Sequence, residues 1–316
     1  MYLSEERLGV LYRKKLFKLF VPKAYGGLEL SLNEGMLELM KIARIQGGLG
    51  WTVNLGAGAN WFSGFFNDEA AKAIFTPERG VIAGSGFASG SWEKADNNQF
   101  IIHGTWSRCT GAKHATYFSL NARNEEGKLK TFVVPRDQVT LADEKWPIFG
   151  LRNTSSYAID IDSQRIPSHF NFEINAIQNP HAYLVHQVPF ETFARLCMCA
   201  SFIGIVECFL DKCQQHPLNA ISLQVIEEQF TPLVEEAKHS FLDWSEKITE
   251  AVLNNTMTDE VAQQLQSSLG KNNVQLYELI QQLFLRAGLP IVEEDTLVHW
   301  AYRDVLTAVQ HYMVKP

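Results

Sequence analysis

The stretch HGTWSRCTGAKHATYFSLNA, residues 103–122, decides how the chain reads. Both of its ends alternate apolar and polar residues with the period of two that marks a half-buried strand. Between them stand a tryptophan, two hydroxyls, a cysteine and a glycine, Trp106-Ser107-Arg108-Cys109-Thr110-Gly111. A tryptophan on a strand is ordinary core. A hydroxyl followed by glycine suggests instead that something flat approaches the backbone there, glycine being the residue that permits close approach.

Outward from this motif the period of two persists from about 80 to 165. NQFIIHGTW (98–106), ATYFSLNA (115–122), KLKTFVVP (128–135), QVTLAD (138–143) and SSYAIDID (155–162) read as short strands split by Asn-Asn, Glu-Glu-Gly and Pro-Arg-Asp turns. Such spacing predicts a small antiparallel sandwich or barrel. On the amino-terminal side the period is helical over 4–20 and 32–46, where Leu32, Met36, Leu39, Met40 and Ala43 share a stripe. VPKAYGG (21–27) between them is a turn. GGLGWTVNLGAGANWFSGFF (47–66) has glycines that let a backbone pack closely on a neighbour or a ligand, and NDEAAKAIF opens with a cap signal and stops before Pro77.

On the carboxyl-terminal side four helical segments follow. Residues 189–214 are apolar nearly all round and should be central and buried. Residues 223–253 turn Ile226, Phe230, Val234, Ala237, Phe241, Trp244 and Ile248 inward, with Pro232 as a kink or restart. A third segment starts at Thr258, carries Asp259 and Glu260 in its first turn, and stops at Ala287-Gly288. The fourth spans about 295–313. The expected fold is α+β, multidomain and mainly α: an amino-terminal helical domain (1–79), a central antiparallel β-sandwich or barrel (80–175) and a carboxyl-terminal four-helix bundle (176–316).

Composition narrows the function classes. The 316 residues are 46% apolar and 20% charged, ordinary globular values, and 28 basic against 35 acidic residues give a formal charge of −7. That balance argues against nucleic acid or an anionic membrane as partner. RKKLFK (13–18) is the basic run and reads as a solvated helix face. Four of the five cysteines (Cys197, Cys199, Cys208, Cys213) lie in an apolar helical stretch without zinc spacing, so they read as buried free thiols and no metal is expected. MYLSEERLGV lacks a secretory pattern, and no 18-residue apolar run is read in the chain. A cytoplasmic location is expected.

The three-part order, with the 106–111 motif at its middle, resembles the acyl-CoA dehydrogenase superfamily of flavoproteins over nearly the whole chain, with the amino-terminal helices shortened. Four patterns carry the resemblance: VPKAYGG as the Pro and Gly-Gly turn; Trp106 to Gly111 as W-x-x-x-[ST]-G; Trp146 to Ser156 as W-x-x-x-G-x-R-x-T-x-S; and Trp300-Ala301-Tyr302-Arg303-Asp304, opening the last helix, as the Arg-Asp pair. The resemblance implies FAD or FMN as cofactor. Trp106 would wall the isoalloxazine ring, Thr110 and Gly111 would donate to its polar edge, and Thr154 and Ser85 would complete the cradle; the alternative for Trp106 is core. Arg108 stands where the family often has an aromatic residue, and would add positive charge near an anionic flavin or substrate. A homodimer or homotetramer is implied as well. Asn60 and Trp61, with Trp51, either line a substrate pocket or pack a glycine-rich helix.

Two enzymatic branches of the superfamily differ near the end of the chain. The dehydrogenases carry a glutamate two turns beyond the Arg-Asp pair, whereas VLTAVQHYMVKP (305–316) has none; Glu227, Glu228, Glu235 and Glu236 are the displaced alternatives or else solvated charges. AGLPIVEED (287–295) stands where the dehydrogenases have Gln-x-x-Gly-Gly. His311 instead resembles the histidine of the two-component monooxygenases, which take reduced flavin from a separate reductase and use oxygen on a small organic substrate. An imidazole suits acid-base work near neutrality. In a continuous helix Trp300, Asp304, Thr307 and His311 form one stripe, with Asp304 about 10 Å from His311 along the axis and paired with an arginine. That branch commonly has His-Asn-Trp where Ala59-Asn60-Trp61 stands here, with His114 as another histidine near the ring. Loss of that histidine keeps a third reading open, a non-catalytic flavin-binding or assembly module.

Overall fold

The computed structural model describes residues 3–215 and 220–316. The helices are α1 (Glu5–Arg13), α2 (Leu32–Ile45), α3 (Gly47–Asn60), α4 (Asp68–Phe75), α5 (Phe190–Gln215), α6 (Ala220–Val225), α7 (Thr231–Leu253), α8 (Asp259–Ala287) and α9 (Leu297–Ala308). The strands are β1 (Ile82–Ala95), β2 (Gln99–Cys109), β3 (Tyr117–Arg123), β4 (Leu129–Pro135), β5 (Thr140–Lys145), β6 (Tyr157–Pro167) and β7 (Asn171–Phe172). The α+β multidomain, mainly helical class is as expected. The chain divides into two compact units. One takes residues up to Ser31, Leu55–Pro147 and Thr154–Pro189; the other takes Leu32–Asn54, Ile148–Asn153 and Phe190 onward.

In the first unit Ser4 caps α1 by accepting from the Arg7 amide at 3.3 Å. The predicted helix over 4–20 breaks after Arg13, because Lys15 adopts φ 56° and a short 3₁₀ turn, Leu16–Lys18, follows. The basic run is not wholly solvated: Lys18 is buried, and its Nζ donates to the carbonyls of Phe75 (2.6 Å), the last residue of α4, and Pro77 (2.7 Å) just beyond it. VPKAYGG turns as expected, closed by Gly26 at φ 78°.

The strands form one seven-stranded sheet in the order β5–β6–β2–β1–β3–β4–β7. Five of its six pairings are antiparallel and the β1–β3 pair is parallel, from Ile82↔Tyr117 to Ser91↔Arg123. The wholly antiparallel sandwich or barrel is therefore corrected to a mixed sheet. Alternation along a strand fixes which face is buried, but not the direction of its neighbour. The β1–β3 register shifts between Ser85 and Gly90, and the displaced residues carry Phe87 at 56% exposure.

In the second unit α5 is the core helix, packed by α2, α7, α8 and α9. It does contain an 18-residue window of mean hydropathy 1.8, long and apolar enough to cross a membrane, which corrects the expectation that no such run exists. Of that window 89% is buried inside the protein, as a core helix requires. α2 and α5 approach closely at Gly204, where a Cβ would lie 2.3 Å from the Met40 carbonyl oxygen. Glu207 of α5 is buried and pairs with Arg44 of α2 (3.2 Å) and Lys238 of α7 (3.0 Å).

Between α6 and α7 a single π-helical turn, Ile226–Phe230, precedes the restart at Thr231-Pro232. Proline lacks the amide that would continue the ladder, so the restart falls where the sequence puts it. Thr258 caps α8, and Gly288 ends it at φ 72°. α9 stops at Ala308 rather than 313, its backbone tightening to three-residue bonds from Gln310 to Thr307 and from His311 to Ala308. All five cysteines are buried and free, and burial pushes the Cys109 thiol up to about 12 and those of Cys199 and Cys208 to about 11.

Candidate functional site

At the end of β2 the chain turns at Arg108 (φ 62°) and Gly111 (φ 80°), and opposite it Ser155 adopts φ 51°. The Gly111 amide donates to the Thr154 carbonyl (3.0 Å) and the Ala112 amide to that of Ser155 (3.1 Å), locking the two turns together. This brings three hydroxyls into line. Thr110 Oγ1 lies 3.0 Å from Ser156 Oγ, which lies 2.9 Å from Thr154 Oγ1. Three hydroxyls hold three protons and two internal links use two of them. Thr154 and Ser156 are buried while Thr110 is half-buried, so with Thr154 donating to Ser156 and Ser156 to Thr110 the third proton falls at the accessible end. Of the predicted cofactor residues, Thr110, Gly111 and Thr154 thus meet. Ser156, the middle link, was missed, although the W-x-x-x-G-x-R-x-T-x-S pattern ends on it.

Other assignments are corrected. Trp106 is fully buried, donates its indole N–H to the Asn121 carbonyl (2.9 Å), and lies so close over Gly90 that a Cβ there would sit 2.0 Å from the ring. No face of it is open, so it is core and not a wall. Gly111 shapes the turn, but its amide is already committed to Thr154. Ser85 sits on β1 just before the displaced residues and accepts from the Phe87 amide at 3.4 Å. Open aromatic surface beside the turn comes from Phe87 and the half-buried Trp146, whose amide donates to the Ser156 carbonyl (2.8 Å).

Asn60 and Trp61 do not line a pocket. Asn60 is fully buried, donating to the Phe17 and Gly80 carbonyls (2.9 and 3.1 Å) and accepting from the Ile82 amide (2.9 Å). Trp61 is fully buried too, donates to the Val185 carbonyl (3.0 Å) and stacks on His186. The packing reading holds for both. His114 follows the Gly111 turn with its ring 5.4 Å from that of Phe17, and burial pushes its pKa down to about 4.

In the second unit His311 lies beyond the end of α9, so the helical stripe stops at Thr307. Its ring stands edge-on to Trp51 (5.8 Å) and stacks on Tyr312 (5.1 Å). Burial, with the nearby Arg195 cation, pushes its pKa down to about 4, so it is neutral at pH 7. Nδ1 accepts from the Met313 amide at 3.4 Å, which places the single proton of the neutral ring on Nε2. Asp304 does not pair with an arginine. It accepts from the amides of Leu151 (2.5 Å) and Gly48, and burial pushes its pKa up to about 6. Thr307 accepts from the Gly150 amide (2.8 Å) and Arg303 donates to the Phe149 carbonyl. Two of the motifs, Gly150-Leu151 and Arg303-Asp304, therefore hold each other. Glu227, Glu228, Glu235 and Glu236 are all exposed, as solvated charges are. Among the described residues no group of three or more His, Cys, Asp or Glu is placed to hold a metal ion.

No family model matches the chain. It is 29% identical over 170 residues to a pigment production hydroxylase of Rhodococcus sp. (strain ATCC 21145), covering 52% of this chain and 43% of that protein. It is 22% identical over 214 residues to the oxygenase subunit HsaA of a flavin-dependent monooxygenase of Rhodococcus jostii (strain RHA1), covering 64% of this chain and 56% of that protein. The sequence match thus spans about half the length of these relatives. Among solved structures, XiaF from Streptomyces sp., in complex with FADH2 and glycerol, superposes with a TM-score of 0.88 at 17% identity, covering 99% of this chain and 85% of that one. The resemblance read from the sequence, with its lean to the monooxygenase branch, is borne out: the chain has the fold of these oxygenases and is similar to them in sequence.

Proposed function

We propose that the chain is the oxygenase component of a two-component flavin-dependent monooxygenase, taking reduced FMN or FAD from a separate reductase and oxidising a small organic substrate with oxygen. The observation that carries this is the Thr110–Ser156–Thr154 hydroxyl chain, which runs from two buried hydroxyls out to the half-buried Thr110. A flavin needs donors at the polar edge of a flat ring, and the residues present fit that need although Trp106 does not wall it. When bound, reduced flavin supplies the electrons that activate oxygen.

The chain's own residues then have separate tasks. Thr110 donates a hydrogen bond at the open end. Ser156 and Thr154 orient that proton and strengthen the bond through the polarised chain. The left-handed Gly111 and Ser155 hold the two turns in register. His311 offers its Nε2 proton as a neutral donor, its low pKa excluding an imidazolium at pH 7. The displaced-glutamate dehydrogenase finds no support: the four candidate glutamates are solvated, and the buried Glu207 is held by two cations. A cytoplasmic location and a homodimeric or homotetrameric assembly complete the proposal, on the strength of the resemblance.

The test is anaerobic titration with photoreduced FMN and FAD, followed by oxygen and substrate. Reduced flavin should bind more tightly than oxidised flavin, and Thr110→Val should weaken it about fivefold, the effect of roughly 1 kcal/mol for one hydrogen bond. A protein that binds neither flavin in either redox state overturns the reading.

A further inference from the structure

We propose that Arg108, its guanidinium over the rings of Phe87 and Trp146, forms an oxyanion-binding subsite beside the Thr110 end of the hydroxyl chain, taking a carboxylate or a phosphate. All these residues belong to the first unit. The guanidinium carbon stands 4.9 Å from the centre of the Trp146 ring and 5.9 Å from that of Phe87. Aromatic faces on a guanidinium hold its position while its N–H donors stay in its own plane, and that fork matches two oxygens of a carboxylate or phosphate.

Three observations separate this from simple packing. Among the described residues Arg108 has neither an ion-pair nor a side-chain hydrogen-bond partner, in a chain with seven more acidic than basic residues. Phe87, one of its two flanking rings, is 56% exposed, an arrangement that burial alone would not favour. Arg108 itself adopts φ 62°, left-handed backbone that costs a residue with a Cβ free energy, and such outliers gather at ligand sites. The subsite is continuous with the hydroxyl chain, because the Trp146 amide donates to the Ser156 carbonyl while the Ser156 hydroxyl meets Thr110.

A flavin phosphate and a substrate carboxylate share this chemistry, and only the first arm rests on the flavin reading above. Two probe pairs distinguish them: reduced FMN against reduced riboflavin, which lacks the phosphate, and phenylacetate against phenylacetamide, which lacks the charge. Binding is measured to the full-length wild type, Arg108→Met and Arg108→Lys by anaerobic titration or calorimetry. Arg108→Met should weaken the charged member of one pair about tenfold and its neutral partner less than about twofold, with Arg108→Lys between, as loss of a bidentate charge-assisted contact implies. Loss on FMN assigns the subsite to the cofactor, loss on phenylacetate to the substrate. Should Arg108→Met fail to fold, Arg108→Lys is read in the same way, since it keeps the charge without the fork. The proposal is overturned if charged and neutral probes weaken alike, if neither pair responds, or if the wild type binds none of the four. A wild type that binds phenylacetate but no flavin sinks the flavin reading and leaves the carboxylate arm to be decided by the variants.

Discussion

Asn60 shows what one polar side chain does where water does not reach. Its amide satisfies two carbonyls and its oxygen one backbone amide, joining the Phe17 turn, the Gly80 turn ahead of β1 and the start of β1 itself. Asn60→Ala strands three buried groups, so it should cost about 3 kcal/mol or more of stability, each group contributing about 1–3. Where the variant stays folded its flavin affinity should be unchanged. Thermal melts paired with flavin titration check this, and an intact melting temperature with weakened ligand binding would restore the pocket assignment. The confusion at Asn60, Trp61 and Trp106 has one physical source. Sequence shows that an aromatic or amide lies on an element, but whether it meets ligand or core depends on residues far away in the chain, such as Val185 for Trp61 and Asn121 for Trp106. That Thr110, Gly111 and Thr154 meet at one pair of turns was within reach of the two motifs that carry the resemblance, and Ser156 is the last residue of the second.

The helices were more legible than the sheet, because what defines them is local. α2, α5 and α8 carry the 3.6 period or an all-apolar run, and Thr258, Gly288 and Pro232 mark boundaries through backbone chemistry alone. The end of α9 was misplaced because VLTAVQHYM continues the apolar period past the point where the backbone bonds shorten. The parallel β1–β3 pair was not visible because β1 was not among the strands read from the sequence, and alternation does not fix a neighbour's direction. No sequence pattern announced the ion pairs that tie α2, α5 and α7 together at Glu207 either. Its carboxylate is buried while Arg44 remains half-exposed and Lys238 less so. Glu207→Ala should cost about 1–2 kcal/mol, below the value for a fully buried pair because water can reclaim the cations. Glu207→Gln, which keeps the volume and a hydrogen bond, should cost less. Denaturant melts of the two variants decide it, and equal losses would show that packing rather than charge sets the contribution.

For the whole molecule, burial makes an acid limit. His114 and His186 in the first unit and His311 in the second each have a folded pKa of about 4 against an ordinary 6.5, with desolvation the leading cause. Between those values the unfolded chain binds protons that the folded chain does not, so stability rises with pH across the window and falls on acidification. Each histidine contributes a slope of up to about 1.4 kcal/mol per pH unit. Asp304 works the other way. Its folded pKa of about 6 exceeds the ordinary 3.8, so what it contributes is present in acid and is lost as pH rises through 6. Three groups against one leave a net loss of stability from about pH 6.5 down to 4. The melting temperature should therefore drop across that range and level off below it as far as these groups are concerned. His186→Phe, which keeps a ring against Trp61 but cannot titrate, should make the drop shallower. Asp304→Asn should make it steeper, because the opposing proton is gone. A His186→Phe protein with an unchanged slope would mean that His186 gains a proton in the fold as easily as out of it, and a melting temperature flat from pH 6.5 to 4 would mean the same of all three rings. In that case His311 could not be counted as a neutral donor, and its part in the proposed chemistry would have to be that of an imidazolium.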